Sequence, residues 1–450
     1  MNTQKNLFGT DGIRGVANSF PITAEVALAL GKAVAVLFQE KQSKKIVIGK
    51  DTRKSNYMIE NAIAAGICSM GVQAIYLGPI PTPGIAFITQ SMRADAGIVI
   101  SASHNPYFDN GIKIFDHDGY KLPDELEEKI SNMILKQSFP PGPTKEHIGT
   151  AFRVDDAGGR YITYLKSTFP KAITLEGIKV VIDCAHGAAY KISPTLFEEL
   201  GATVIAMGVK PNGLNINERC GALHPESLAK KVLEEKAQLG IALDGDGDRV
   251  ILIDEKGNIV DGDFILGICG ENLKEKGLLH HNTLVGTVMT NMGLESWLKT
   301  KKIQLLRTQV GDRYVVEAMR NNGYCLGGEQ SGHIIFSEYS TTGDGTLTAL
   351  RILEILKLTG KSLSELAANI PRFPQLLIKI KVKEKKEWEQ IPACNHLIRE
   401  IQKQLGGEGR LLLRYSGTEP VFRIMIEGRD EGMIKNYLAK IEEEFTKQLK

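Results

Sequence analysis

Helix-periodic and β-rich segments alternate along this chain, break off, and restart twice. Helical periodicity from Ala24 to Gln39 leads into the apolar run Lys45 to Ile48. A second helical pattern from Tyr57 to Cys68 leads into Val72 to Leu77, and a buried-strand pattern follows at Ala96-Gly-Ile-Val-Ile-Ser101. Such alternation argues for a mostly parallel sheet covered by helices on both faces. It fades near Thr150 and restarts as Lys179 to Asp183, a helix through Leu200, Thr203 to Ala206, a helix from about Pro225, and Leu239 to Leu243. The third run is Thr283 to Met289, a helix to about Thr300, Ile303 to Arg307, a helix from Asp312 to Asn321, and a closing helix from Thr346 to Leu358. Three similar units in series point to duplication of one domain.

The alternation ends at Ile370-Pro-Arg-Phe-Pro374, because two prolines so close cannot sit inside a helix. Beyond it Leu376 to Val382 alternates apolar and basic residues as a half-exposed strand does, and Met433, Ile434, Tyr437, Leu438, Ile441 and Phe445 share one helical face. The expected architecture is α/β: three similar sandwich domains with mixed, mostly parallel sheets at 1–151, 152–260 and 261–370, and a smaller α+β domain at 371–450. A length of 450 residues accommodates that number at roughly 100 to 200 residues per domain.

Charge removes whole classes of function. Lys+Arg 55 against Asp+Glu 53 leaves a net +2, with no basic stripe, so neither nucleic acid nor an anionic membrane is an expected partner. No charged residue lies between Glu60 and Arg93, yet glycines and the prolines Pro79, Pro81 and Pro83 divide the stretch into a helix, a strand and a turn, short of a membrane span. The N-terminus has no apolar signal region, which places the expected protein in the cytoplasm. Cys68, Cys184, Cys220, Cys269, Cys325 and Cys394 lack the close spacing of a zinc or redox motif and are expected to be reduced and buried.

Four short segments carry chemistry, one per expected domain, and that distribution implies a cleft between the four. Asp244-Gly-Asp-Gly-Asp-Arg249 places three carboxylates on one tight loop, tolerable around a divalent cation, with Mg²⁺ favoured by hard oxygen ligands. A plain acidic turn is the alternative; a calcium EF-hand would put Glu255 at its twelfth position, but Arg249 replaces its glycine and strands flank the loop. Ile98-Val-Ile-Ser-Ala-Ser-His-Asn-Pro106, followed by Asp109 to Lys113, sets a serine at the end of a buried strand, where ligand sites of α/β sheets form. A strand-end turn with capping hydroxyls would read the same way. Gly327-Gly-Glu-Gln-Ser-Gly-His333 offers groups suited to sugar hydroxyls, or a glycine-rich hairpin turn. Arg414-Tyr-Ser-Gly-Thr-Glu-Pro420, leading to Arg423, makes a phosphate cradle or an ordinary loop between strands.

Together these segments resemble the α-D-phosphohexomutases over the whole chain, with the four loops in the family's order and spacing. Phe8-Gly-Thr-Asp-Gly-Ile-Arg-Gly15 and Thr308-Gln-Val-Gly-Asp-Arg-Tyr-Val315 support the resemblance, and Ser101-Ala-Ser103 with Gln330 look like the family's glucosamine branch. The resemblance implies an intramolecular phosphotransferase. It would interconvert glucosamine 6-phosphate and glucosamine 1-phosphate through a phosphoserine and glucosamine 1,6-bisphosphate, feeding UDP-N-acetylglucosamine and cell-wall synthesis. It implies Ser103 as phosphoryl carrier and one Mg²⁺ held by Ser103, Asp244, Asp246 and Asp248. Arg14, Lys113, Arg249 and His333 would lie at the transferring group, Glu329 and Ser331 on sugar hydroxyls, and Arg414, Ser416, Gly417, Thr418 and Arg423 on the distal phosphate. The implied partner is a small hexosamine phosphate, and a homodimer is compatible with the reading. Two rivals stay open: a phosphomannomutase/phosphoglucomutase, which would keep all four loops, and a non-catalytic sugar-phosphate-binding protein, which would not need Ser103 and the acidic triad.

Overall fold

Residues 7–9, 11–38, 43–415 and 421–449 are described by the computed structural model. They contain four sheets, of six, five, four and three strands. In the first, Lys45–Lys50, Gln73–Pro79, Ala96–Ile100 and Ala151–Arg153 run parallel, while Asp109–Asp116 folds back antiparallel on Ala96–Ile100 and Ile13–Val16 pairs antiparallel with it. In the second, Thr203–Met207, Lys179–Asp183 and Leu239–Leu243 are parallel and Val250–Ile253 folds back on the last. In the third, Gln304–Thr308, Thr283–Thr287 and Leu326–Gly328 are parallel and Ile334–Phe336 folds back. All three therefore share one plan, a parallel set whose last strand returns antiparallel, and this supports their origin by duplication. The fourth sheet, Gln375–Lys381, Val421–Gly428 and Gly409–Tyr415, is antiparallel throughout.

Side-chain alternation explains why the parallel strands are apolar on both faces. Ile46 and Ile48 enter a core with helices Ala24–Phe38 and Asn56–Ser69, whereas Val47 between them enters a core shared with the second and third units. That shared core is built partly by helix Gly345–Thr359, buried over most of its length and packed with Leu243, Val250 and Leu252 of the second sheet. The fourth unit has its own core, in which Ile380, Phe422, Ile424 and Ile426 meet Ile398, Ile441 and Phe445 of its two long helices.

The uncharged stretch between Glu60 and Arg93 departs from expectation in its last part, which is helix Thr82–Ser91 rather than a turn. Pro81 caps this helix and Pro83 lies in its first turn, where a missing N–H costs no hydrogen bond. Its charge-free composition follows from burial, since Thr82 to Ala86, Ile88 and Thr89 are all interior. Expectation also fails for two cysteines: Cys184, Cys269, Cys325 and Cys394 are buried, but Cys68 and Cys220 are only partly so, and all six are free thiols.

Candidate active site

Each chemical segment connects a strand to its antiparallel return, so the shared plan of the sheets delivers the segments to equivalent places. Ser103 follows Ala96–Ile100 and is buried, with φ near +49°, a backbone conformation costly for a residue with a Cβ. The loop is over-determined by one side chain. Fully buried Arg53 is paired with Asp51 (2.8 Å), and its guanidinium donates to the carbonyls of Ser103 (2.9 Å), Asn105 (2.8 Å), Asp109 (3.1 Å) and Pro106. Asn217, from the second unit, donates to Ser103 O (2.8 Å) and Asn105 O (3.0 Å). Ser101 donates to Asp51 Oδ2 (2.5 Å) and accepts the Ser103 N–H (2.9 Å).

Ser103 Oγ donates to Asp244 Oδ2 at 2.7 Å, which joins the serine loop to the acidic loop. Gly245 allows that approach, since a Cβ there would stand 2.5 Å from Ser103 O. Asp244, Asp246 and Asp248 are buried and present carboxylate oxygens all within 4.8 Å of one another. Burial and the mutual repulsion of the carboxylates push Asp244 up, while Lys113 and His333 overcome burial to hold Asp248 down. Oδ1 of Asp246 and Oδ1 of Asp248 are buried without a hydrogen-bond partner. Orphaned anionic oxygens converging beside a serine hydroxyl are the donor set of a hard divalent cation, and these residues fit one. Glu255 belongs elsewhere: it accepts from Ser364 Oγ (2.5 Å), so the loop is no EF-hand.

Cations ring the triad. Lys113 Nζ lies 3.3 Å from Asp11, 3.5 Å from Asp246 and 3.4 Å from Asp248; burial would discharge it, but the three carboxylates outweigh that and keep it protonated. Arg14 pairs with Asp11 and donates to Ala102 O (3.3 Å). Arg249 stands 3.2 Å from His104 Nδ1, which is itself 3.3 Å from Ser103 Oγ. Burial, then Arg249 and Arg14, push His104 down to about 4, so the ring is neutral at pH 7.

The third loop closes on the second through the backbone, with Val250 N–H donating to Gly332 O (3.1 Å) and Gly345 N–H to Gly247 O (3.0 Å). His333 Nδ1 faces Asp248 Oδ2 at 3.7 Å, and Nε2 accepts the Gly343 N–H at 3.0 Å. Burial lowers its pKa, but Asp248 outweighs burial and raises it to about 9; the Gly343 N–H opposes that charge, and a cation on Asp248 would oppose it further. Glu329 accepts the Gly311 N–H (3.0 Å) and faces Ser331 Oγ at 3.4 Å.

In the fourth unit Arg414 and Arg423 are directly opposed cross-strand partners at the mouth of the hairpin. Like charges in that register repel, and burial and Arg423 lower the Arg414 pKa. Ser416, Gly417 and Thr418 lie outside the described residues. The structure thus gathers Ser103, Asp244, Asp246, Asp248, Lys113, Arg14, Arg249 and His333 into one cluster, with Glu329 and Ser331 on the loop that His333 ends. Sequence reading missed Arg53 and Asp51, although Asp51-Thr-Arg53 follows the strand Lys45–Lys50 at the same sheet end as Ser103 and could have been flagged on that ground. It also missed Asn217 and Thr82, whose hydroxyl donates to Asp246 Oδ2 (2.7 Å). No local signal marks these two, because their partners lie in other units.

Likeness to known proteins extends over all four units. Four domain descriptions of phosphoglucomutase/phosphomannomutase match in order: α/β/α domain I at 5–141, domain II at 159–257, domain III at 261–373 and the C-terminal domain at 377–444. The chain belongs to the phosphoglucomutase/phosphomannomutase family. Within this family it is similar to the phosphoglucosamine mutase of Syntrophotalea carbinolica, 55% identical over 99% of this chain and 98% of that one. The phosphoglucosamine mutase of Citrifermentans bemidjiense is 57% identical over 96% and 95%. A phosphoglucomutase/phosphomannomutase family protein from Burkholderia thailandensis superposes with a TM-score of 0.81 at 25% identity, covering 99% of this chain and 97% of that one. The fold is shared with Aspergillus fumigatus N-acetylphosphoglucosamine mutase, solved in complex with GlcNAc-6P and magnesium, at a TM-score of 0.64 and 17% identity over 97% and 94% of the chains. No described helix is long and apolar enough to cross a membrane.

Proposed function

We propose that this family member is a phosphoglucosamine mutase, interconverting glucosamine 6-phosphate and glucosamine 1-phosphate. The observation that carries the chemistry is Ser103 Oγ seated 2.7 Å from a buried loop of three carboxylates, two of them with an orphaned oxygen. The amino-sugar preference rests on the likeness to curated relatives at 55% and 57% identity. Ser103 is the phosphoryl carrier, and Ser103, Asp244, Asp246 and Asp248 hold one Mg²⁺. When bound, the ion supplies charge neutralisation to a transferring phosphoryl group.

The chain's own residues position and compensate. Arg53 and Asn217 fix the Ser103 backbone so that Oγ stays aimed at the acidic loop. Lys113 and Arg249 counter the charge of the triad, and His104, neutral and 3.3 Å from Ser103 Oγ, is placed to handle a proton there. Arg14, through Ala102 O, ties the N-terminal strand to the serine loop. His333 braces Asp248 against the third unit, and Glu329 and Ser331 take sugar hydroxyls. Arg414 and Arg423, with Ser416, Gly417 and Thr418, take the phosphate that is not reacting; an anion bridging the two guanidiniums relieves their repulsion. Transfer from Ser103 to the free sugar oxygen gives glucosamine 1,6-bisphosphate, which reorients and returns its other phosphate to Ser103. Six free thiols, with pKa values raised by burial where shifted, support residence in a reducing cytoplasm.

A coupled assay with Mg²⁺, comparing glucosamine 6-phosphate with glucose 6-phosphate, tests the reading. The expected result is a higher kcat/KM for the amino sugar; equality or reversal moves the assignment to a phosphomannomutase/phosphoglucomutase, and turnover of neither sugar rejects the enzyme.

A further inference from the structure

The segment Thr308 to Val315 has no part in the chemistry above, yet it reaches the sugar loop. Gly311, with φ +135°, donates its N–H to Glu329 Oε1, and the next residue, Asp312, opens helix Asp312–Asn322. One face of that helix, through Asp312, Arg313, Val316 and Arg320, lines a cavity of about 500 Å³ that Lys113 and Asp11 line as well. The cavity therefore lies between Lys113, whose ammonium pairs with Asp246 and Asp248, and Asp312, the residue that follows the glycine bound to Glu329.

An amino sugar needs something a plain hexose does not, an anion for its ammonium group, and most acidic groups here are already engaged. Asp244, Asp246 and Asp248 face the cation site and Lys113. Asp11 is paired with Arg14 and Lys113, and Glu329 takes the Gly311 N–H. Glu317 also lines the cavity, but it is exposed, more than a turn further from Gly311 along the helix, and its charge acts on Arg313. Asp312 makes no ion pair among the described residues; Oδ1 accepts its neighbour's N–H (Arg313 N, 2.8 Å), and Oδ2 has no hydrogen-bond partner among them. An aspartate at a helix start is ordinarily explained by the helix dipole, and Oδ1 is so used. That explanation does not account for a half-buried carboxylate facing the cavity, one peptide from a glycine that holds Glu329.

We infer that Asp312 is the specificity residue for the amino group: with the C3 hydroxyl on Glu329, the vicinal C2 ammonium meets the Asp312 carboxylate. The inference rests on the proposed phosphoglucosamine mutase activity. It is tested by measuring kcat/KM of the full chain and of Asp312→Asn on glucosamine 6-phosphate and on glucose 6-phosphate. Where turnover of the hexose is too slow to follow, its inhibition constant against the amino sugar serves. The expected result is a loss of roughly 10- to 100-fold for the amino sugar, as for removal of a charge-assisted hydrogen bond, and less than about threefold for glucose 6-phosphate. An equal loss on both sugars, or none on either, overturns the assignment while leaving the proposed activity in place. A wild-type chain that ignores glucosamine 6-phosphate rejects that activity and this inference with it.

Discussion

Ser103 and Ser101 lie two residues apart on one loop, and their hydrogen bonds assign them different work. Ser101 is a strut, donating to Asp51 and accepting from the Ser103 backbone, whereas Ser103 alone presents its hydroxyl to the acidic loop. Ser103→Ala is expected to abolish the phosphoenzyme and to lower turnover by roughly 10³-fold or more, as loss of a nucleophile does. Ser101→Ala should keep phosphate on Ser103 and lose only about tenfold through misplacement. Intact mass with peptide mapping decides between them, and phosphate found on Ser101 would contradict the assignment. At the triad, Asp246→Asn removes one ligand charge and also relieves carboxylate repulsion inside a buried loop. Its thermal midpoint without metal should match or exceed that of the wild type, while Mg²⁺ affinity by calorimetry and turnover both fall by roughly 100-fold. Full activity after exhaustive chelation of the wild type would remove the metal from the mechanism.

Among the elements, the linker to the fourth unit differs most from its appearance in sequence. Two prolines suggest a free hinge, yet Asn291 grips Phe373 from both sides, donating to its carbonyl (2.9 Å) and accepting its N–H (3.0 Å), and Arg372 pairs with Asp261 (2.9 Å). Beneath that grip sits Asp263, which accepts the Asn291 N–H (3.0 Å) on one oxygen and has the other buried without a partner. Burial, then the charge of Asp261, push Asp263 up to about 7. In the unfolded chain an aspartate titrates near 3.9, so between about pH 4 and pH 7 the folded form keeps a proton that the unfolded form has lost. Stability contributed at this site therefore falls as pH rises through that window, by about 4 kcal/mol at most. Asp263→Asn removes the titration, and its thermal midpoint relative to wild type should be higher at pH 8 than at pH 5. A difference independent of pH would show that Asp263 is not the titrating group.

Over the whole molecule, the first three units share one core that includes Ile370, while the fourth encloses a separate core. Past the linker the hydrogen bonds crossing between them, among the described residues, are Gln375 to Met289 O and Arg410 to Thr290 O. A chain ending at Pro374, which keeps Ile370 and the Phe373 grip, should fold with a circular-dichroism melt close to the parent's and keep phosphate on Ser103. It should lose at least about 100-fold in mutase turnover, because nothing holds the distal phosphate. Failure to fold, or near-normal turnover, would show that the fourth unit is not a separable phosphate clamp. The division of labour between sequence and structure follows the same lines. Sequence alone determined the repeated strand and helix plan and the loops that carry chemistry, because hydrophobic period and turn residues act over a few neighbouring positions. It could not separate a proline turn from the first turn of helix Thr82–Ser91, since proline suits both and only burial among three units distinguishes them. Nor could it find Thr82 on Asp246, 164 residues away, or Asn217 on Ser103, 114 away, because such contacts exist only once the units are packed against one another.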